Sequence, residues 1–323
     1  MNVIRRSKFL KRAGVFLVVG LLALAVFAWW RMGGVVVEVG DQGYTAVADP
    51  ASAEFSVVTY NVQARPWFDE SRAKFAAISP LLNDYDLVSI QECFKDYRRL
   101  WDGTTHPVRI YHSRLKSPWK IVGSGLSVLG RFPLEGVEAE SFETVGDRQN
   151  WPASKGLLLA RFRVGDMPLD FYATHMEAGR KPDAMWSRRE QAEQLVRFVR
   201  RHSPPEHAVI FAGDFNMRPV REGRGEVPLN DYTPGAEPLV FDTMTREQVF
   251  EAVRLELALK SASEELPGPV YNGVDHVLYR SGDGLRLTAL KYQHDAPVFY
   301  FPDGKPLSDH EPLIVWFRLE RVE

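Results

Sequence analysis

Val209-Ile210-Phe211-Ala212-Gly213-Asp214-Phe215-Asn216 is an apolar run of strand length that ends on a glycine and delivers an aspartate and an asparagine two residues apart. A run this apolar, rich in β-branched and aromatic residues, reads as a strand buried on both faces. Gly213 permits a sharp exit. Asp214 can orient and polarise a water, and Asn216 can donate a hydrogen bond to a charged oxygen. The same residues also suit an ordinary turn.

Working outward, the pattern recurs. Phe55 to Tyr60 ends at Asn61, Leu87 to Ile90 ends at Gln91 and Glu92, and Leu169 to Thr174 ends at His175. Further runs cover Gly125 to Leu129, Gly156 to Phe162, Val274 to Tyr279 and Leu313 to Phe317. Helical stretches lie between them, at Ser71 to Asn83, Asp183 to Arg201 and Thr245 to Ser261. In the second of these Trp186, Ala192, Leu195, Val196 and Val199 recur at helical spacing, and Pro204-Pro205 stop it. Many strands with occasional helices predict a two-sheet α/β sandwich with outer helices. The polar clusters then fall at strand ends on one rim, where loops carry chemistry.

Leu307-Ser308-Asp309-His310-Glu311 precedes the last apolar run. Its Asp-His pair offers a hard carboxylate and a proton-transfer group. If the strand at Val274 to Tyr279 lies beside this last one, Asp275 can hydrogen-bond His310 and hold its tautomer. His276 points to the opposite face and reads as structural. Glu92 at the end of a buried strand suits a divalent ion such as magnesium, with Asn61 adding a carbonyl oxygen. His175 can contact a phosphate oxygen or assist a leaving group. Each of these residues also has a plain structural reading. Cys93, the single cysteine, reads as a buried thiol and excludes an intrachain disulfide.

The chain has 323 residues, of ordinary globular composition, with no repeat and no low-complexity segment. The one break in composition is at the start. Arg5, Arg6, Lys8, Lys11 and Arg12 precede Ala13 to Trp30, an uncharged stretch that would span roughly 27 Å as a helix. Residues 1–34 are therefore expected to be a cytoplasmic basic tail and a transmembrane anchor, with the remainder on the non-cytoplasmic side. The competing reading is a cleaved signal, which would release a secreted protein. Residues 35–53 read as a linker with a possible strand at Val35 to Val39, and 54–323 as the catalytic domain. Six of the 40 basic residues lie in the first 34 positions, with no acidic residue there, so 34 basic face 42 acidic residues beyond them, a net of −8. That balance argues against general attraction to a phosphate backbone.

Taken in order, Tyr60-Asn61, Gln91-Glu92, Thr174-His175, Gly213-Asp214-Phe215-Asn216, Val274-Asp275-His276 and Ser308-Asp309-His310 resemble the endonuclease/exonuclease/phosphatase superfamily over residues 54 to 318. The resemblance implies a four-layer sandwich of two mixed β-sheets flanked by helices. It implies that Glu92 binds Mg2+ (or Mn2+ or another divalent cation), with Asn61 beside it and Asp309 as a further metal or metal-water contact. It implies His310, paired with Asp275, as general base, Asp214 and Asn216 positioning water and phosphate, and His175 on a phosphate oxygen. Within the superfamily, Ser124 to Pro133 and Ala153-Ser154-Lys155-Gly156 are similar to the neutral sphingomyelinase branch. Lys155 is then a candidate phosphate contact, or else a strand-edge lysine. Glu177 departs from that branch's usual Gln or His. The expected partners are a phospholipid phosphodiester and the membrane. An exported nuclease using a basic groove at Arg65, Arg114, Lys116 and Lys120 stays open, as does a phosphoinositide or other phosphomonoester phosphatase. Val298 to Phe301 reads as lipid contact if exposed and as core if buried.

Overall fold

The computed structural model describes residues 18–26, 33–65, 71–113, 115, 120–146, 152–179, 181–217, 246–267, 271, 273–294 and 296–322. Within them two mixed sheets stack face to face. The first runs β1 (Val35–Val39), β4 (Val108–His112), β5 (Leu126–Gly130), β3 (Leu87–Cys93), β2 (Ser52–Ala64), β13 (Leu313–Arg321) and β12 (Leu285–Gln293), in that order across the sheet. The second runs β10 (Lys260–Ser261), β11 (Asp275–Arg280), β9 (Ala208–Asp214), β8 (Met167–His175), β7 (Gly156–Val164) and β6 (Leu134–Ser141). β2 and β3 are parallel, as are β8 and β9, and the other pairs are antiparallel.

The strand residues alternate between two cores, which is why their sequence lacks polar alternation. Val57, Leu158, Phe171, Ile210 and Val315 fill the space between the sheets. Their neighbours Val58 and Tyr60 face outward beneath α1 (Ser71–Leu82) and α2 (Tyr97–Asp102), with Phe75, Ile78 and Trp101. Tyr172, Val209 and Phe211 face α3 (Pro182–His202) and α4 (Arg246–Glu256), against Leu195, Phe198 and Phe250. Helix, sheet, sheet, helix is the four-layer order the sequence predicts.

Three local differences have physical causes. The helix expected to reach Ser261 stops at Glu256, and the chain turns at Ala258 (φ 53°) into β10. Leu257 and Leu259, two apart, are both buried, a spacing that a strand satisfies and a helix does not. β2 continues past Asn61 to Ala64, with a register break against β3 between those residues, so Asn61 lies inside a bent strand rather than at its end. Within the predicted linker, Val35–Val39 pairs along β4 and Ser52 already begins β2. Of the apolar stretch Ala13 to Trp30 only 18–26 falls within the described residues. It is helical and exposed, and among the described residues no helix is long and apolar enough to cross a membrane.

Two buried histidines outside the site set an acid limit. His106 faces the Tyr85 carbonyl oxygen at 2.8 Å, and burial, with Arg131 nearby, pushes its pKa down to about 4. His276 faces the Met217 carbonyl oxygen at 2.8 Å with its ring 4.3 Å from Phe250, and burial pushes it to about 4 as well. Both bind a proton more weakly folded than unfolded, so their stabilisation is full above pH 6.5 and is lost as pH falls towards 4. The upper bound is roughly 3 kcal/mol for each. His106→Gln keeps a donor to Tyr85 and removes the titration. In urea unfolding it should lose less stability than the parent between pH 7 and 4.5. An unchanged pH slope would refute this assignment.

Candidate active site

The parallel pairs carry their C-terminal ends to one rim. In the second sheet His175 lies opposite Asp214, and Asp214 opposite Asp275, so three chemically active residues form one cross-strand row. In the first sheet Asn61 lies opposite Gln91, beside Glu92. Two hydrogen bonds tie the sheets together here. Ser89 Oγ donates to the Ala212 carbonyl at 2.6 Å, and Asn61 Nδ2 donates to Asp214 Oδ2 at 3.2 Å.

Asp214 is the hub. Its Oδ2 also lies 3.5 Å from His175 Nε2 and 4.0 Å from His310 Nε2, while its Oδ1 accepts the Asn216 backbone N–H at 2.8 Å. Asn216 then donates from Nδ2 to the Met176 carbonyl at 3.1 Å. His310 Nδ1–H donates to Asp275 Oδ2 at 2.7 Å. This is the pairing expected from the sequence, but β11 and β13 lie in different sheets rather than side by side, so the bond is made across the sandwich by the loop before β13, and it leaves Nε2 turned towards Asp214. Ser308 Oγ donates to the Asn61 carbonyl at 2.6 Å and accepts the His310 backbone N–H at 3.3 Å, which fixes the loop before β13 against β2.

Glu92 Oε1 accepts from Asn61 Nδ2 at 3.3 Å and lies 3.9 Å from His175 Nε2. Asn61 therefore faces both carboxylates with its amide nitrogen, and its oxygen accepts from the Gln63 N–H at 3.0 Å. Turned this way it holds Glu92 and Asp214 together and does not present the expected ligand oxygen. Asp309 is exposed, and its Oδ2 accepts from Gln63 Nε2 at 2.7 Å. Lys155 is buried, contrary to a strand-edge reading. Its Nζ donates to the Met176 carbonyl at 2.7 Å and lies 2.9 Å from His175 Nε2, so it reaches the site through that imidazole. Strain gathers at the same rim. Gln63, Glu92 and Asn216 have φ of 50°, 55° and 51°, three of the five positive-φ residues other than glycine among those described.

The charges crowd. Burial raises the Glu92 carboxyl, against the lowering effects of Lys155 and the Asn61 hydrogen bond, and the charges of Asp214 and Asp309 add to the rise. Burial and Asp275 raise Asp214 to about 6, with His310 and Lys155 opposing. Burial, with Lys155 and His310, holds His175 well below its ordinary value. Burial lowers Lys155, opposed mainly by Glu177, Asp214 and Glu92. For His310 burial pulls downward, but the hydrogen bond and charge of Asp275, with Asp214 and Asp309, prevail and raise it to about 10.

A rim where burial and neighbouring carboxylates raise Glu92 and Asp214 suits a hard divalent cation. Glu92 and Asp309 supply carboxylate oxygens of the right kind, with Asn61 holding Glu92 through its amide nitrogen. Asp214, Asp275 and His310 also place one ligand atom each within 4.8 Å of the others. Since His310 Nδ1 is taken by Asp275, that trio reads better as a proton-handling chain. The Asp275 Oδ1 atom is buried with no hydrogen-bond partner among the described residues. A cavity of about 440 Å³ opens beside His310, lined by Tyr271, His294, Asp309 and Glu311.

Gln63 is absent from the motifs that the sequence offers, and Ser308 stands in one of them without a role of its own. Gln63 lies two residues beyond Asn61, and Ser308 just before the Asp-His pair, so strand alternation and turn chemistry were the available signals. His276 and Cys93 are buried away from this chemistry, and Phe299 packs on Tyr60 at 5.1 Å as core. Of the residues considered for a basic groove, Arg114 and Lys116 lie outside the described residues, and Lys120 is buried.

A family model described as "Endonuclease/Exonuclease/phosphatase family" matches residues 58–310. A sphingomyelinase of Mycobacterium tuberculosis is 26% identical over 283 residues, covering 83% of this chain and 54% of that protein. The chain thus spans about half the length of that relative. Among solved structures, a beta toxin mutant from Staphylococcus aureus with bound magnesium ions superposes with a TM-score of 0.55 at 15% identity, covering 82% of this chain and 99% of that one. D. rerio TDP2 complexed with a single-strand DNA product gives a TM-score of 0.58 at 15% identity, with the same coverages of 82% and 99%. At these identities the structural likenesses bear on the fold alone.

Proposed function

The chain belongs to the endonuclease/exonuclease/phosphatase family, and from that premise we propose that it is a divalent-cation-dependent phosphodiesterase acting on a phospholipid of sphingomyelin type. The observation that carries the reading is the meeting of Glu92, Asp214, Asp275 and His310 at one rim, with His175 and Asn61 between them. The lipid is favoured over nucleic acid by the acidic domain, net −8 beyond residue 34, and by a relative named for sphingomyelin. The magnesium ions named in the beta toxin structure support Mg2+ as the cation, with Mn2+ as a substitute. Residues 13–30 anchor the enzyme in the membrane, with the domain on the non-cytoplasmic side.

Asp214 and Asn216 position the attacking water, and Asp214, raised to about 6, takes its proton. The water oxygen bonds to phosphorus, the bond from phosphorus to the lipid alcohol oxygen breaks, and that oxygen leaves with the electron pair and takes a proton from solvent water, while Asp214 returns its own proton to solvent. The family resemblance implies His310 as the base; in this proposal it keeps its proton, because against the downward pull of burial the hydrogen bond and charge of Asp275, with Asp214, raise it to about 10. It serves instead as a cation on the phosphate, held in place by Asp275. His175, kept neutral by burial and by Lys155, orients a phosphate oxygen. A divalent ion held by Glu92 and Asp309 would neutralise charge on the phosphoryl group when bound.

The test is a substrate panel of sphingomyelin, phosphatidylcholine, phosphoinositide and DNA, with and without chelator. Phosphocholine release should need added Mg2+ and stop with chelation. Cleavage of DNA with the lipids untouched would instead establish the nuclease reading.

A further inference from the structure

The N-terminal chain joins the domain at the rim that bears the site. Val35 pairs with His112, and His112 with Leu126. Leu126 is one residue from the pair Ser127 and Ile90. Val35, His112 and Leu126 thus stand in one cross-strand row that meets β3 at Gln91, next to Glu92. Three strand spacings put Val35 roughly 14 Å from that strand. The joint is pinned. Gly34 N–H donates to Ser113 Oγ at 3.1 Å, and the Ser113 N–H and hydroxyl return bonds to the Gly34 carbonyl at 2.9 and 2.8 Å. From Gly34 back to Trp30, the end of the apolar stretch, is four residues, at most about 14 Å of chain.

Further apolar groups stand exposed on the same rim. Ile121 is 40% exposed in the loop before β5, where its N–H donates to the Pro152 carbonyl, on the segment that leads to Lys155. Val298 is 59% exposed beside Phe299, which packs on Tyr60, the neighbour of Asn61. The C-terminus leaves from the other end, since β13 runs antiparallel to β2 and finishes at Arg321 opposite the start of β2.

We propose that the rim carrying Glu92, His175 and Asp214 faces the bilayer into which residues 13–30 insert, so that the enzyme hydrolyses lipids of its own membrane in cis. This rests on the anchored lipid-hydrolase reading above. An anchor ending within about 14 Å of the rim keeps the site at the headgroup layer, whereas a tether at the C-terminus would turn the site away.

The whole chain, reconstituted in vesicles, tests the orientation without reference to activity. Cys93 is buried, so Ile121→Cys, Val298→Cys and Asp283→Cys can each be labelled selectively with a fluorophore. Asp283 is an exposed residue in the turn between β11 and β12, at the far end of the sheets. Nitroxide lipids should quench the labels at 121 and 298 at least threefold more than the label at 283. Equal quenching, stronger quenching at 283, or failure of the chain to sediment with vesicles overturns the proposal. A second form carries residues 1–32 after Val322 instead of before Gly33. Its hydrolysis of substrate in the same vesicles should fall tenfold or more, with detergent-dispersed substrate turned over as before. An unchanged vesicle rate overturns the orientation. If neither form hydrolyses dispersed substrate, the lipid-hydrolase reading fails, and the quenching pattern still decides the orientation.

Discussion

Replacing His310 by glutamine lowers kcat for phosphodiester hydrolysis by roughly 10³-fold and changes KM little, since a positioned proton-bearing group acts mainly on the transition state. The imidazole sits 2.7 Å from Asp275 and 4.0 Å from Asp214, and those carboxylates raise its pKa to about 10. Its active form is then the imidazolium. Activity is present below the folded pKa and is lost as pH rises through it. Asp275→Asn removes the charge that most supports the raised value, so the alkaline limb of kcat/KM should move to lower pH by about one unit or more. The rate at the plateau should fall as well, because the ring loses the acceptor that orients it. Were His310 the base, its neutral form would be the active one, and the same substitution would move an acidic limb instead. A pH profile of both enzymes separates the two, and an alkaline limb that stays put in Asp275→Asn defeats the imidazolium role.

The β-strands that end in polar residues were legible because burial on both faces writes a long apolar run, and the chemistry interrupts it abruptly. Val209 to Ala212 followed by Asp214 is such a run, and the structure places Asp214 at the centre of the rim. The less visible strands follow a different rule. β12 buries Leu285, Leu287 and Ala289 and exposes Arg286 and Thr288, so it carries only the weak alternation of a half-buried strand. β6 is largely intermediate in burial and has little apolar signal. The position of Lys155 was hidden because nothing local marks a buried lysine. Its surroundings come from Met176 and His175, some twenty residues away. The amide of Asn61 was similarly out of reach of the sequence. Whether it turns nitrogen or oxygen to the site depends on the carboxylates of Glu92 and Asp214, and the latter lies 153 residues away. Residue types at strand ends are thus readable, whereas orientation and protonation depend on neighbours brought from other strands.

Glu92→Gln should produce opposite effects on activity and on stability. Glutamine keeps the size and the hydrogen-bonding reach of the side chain but removes the charge. At fixed Mg2+ the rate should fall by roughly 10²- to 10³-fold, and the Mg2+ concentration for half-maximal activity should rise by about tenfold or more. Without metal the sign reverses. Burial, with Asp214 and Asp309, raises the Glu92 carboxyl above its ordinary value, so the folded protein binds this proton more tightly than the unfolded chain. At neutral pH the charged carboxylate therefore works against folding, and a neutral glutamine should raise the metal-free Tm. In the parent, Mg2+ should raise Tm through binding to the folded state, and in the variant that increment should shrink. A glutamate that merely braced the end of β3 at its own strained backbone (φ 55°) would give the reverse pattern, with lower metal-free stability and an unaltered Mg2+ response. Scanning calorimetry of both proteins, with chelator and with Mg2+, distinguishes the two. Loss of stability in the chelated variant would remove Glu92 from the cation site.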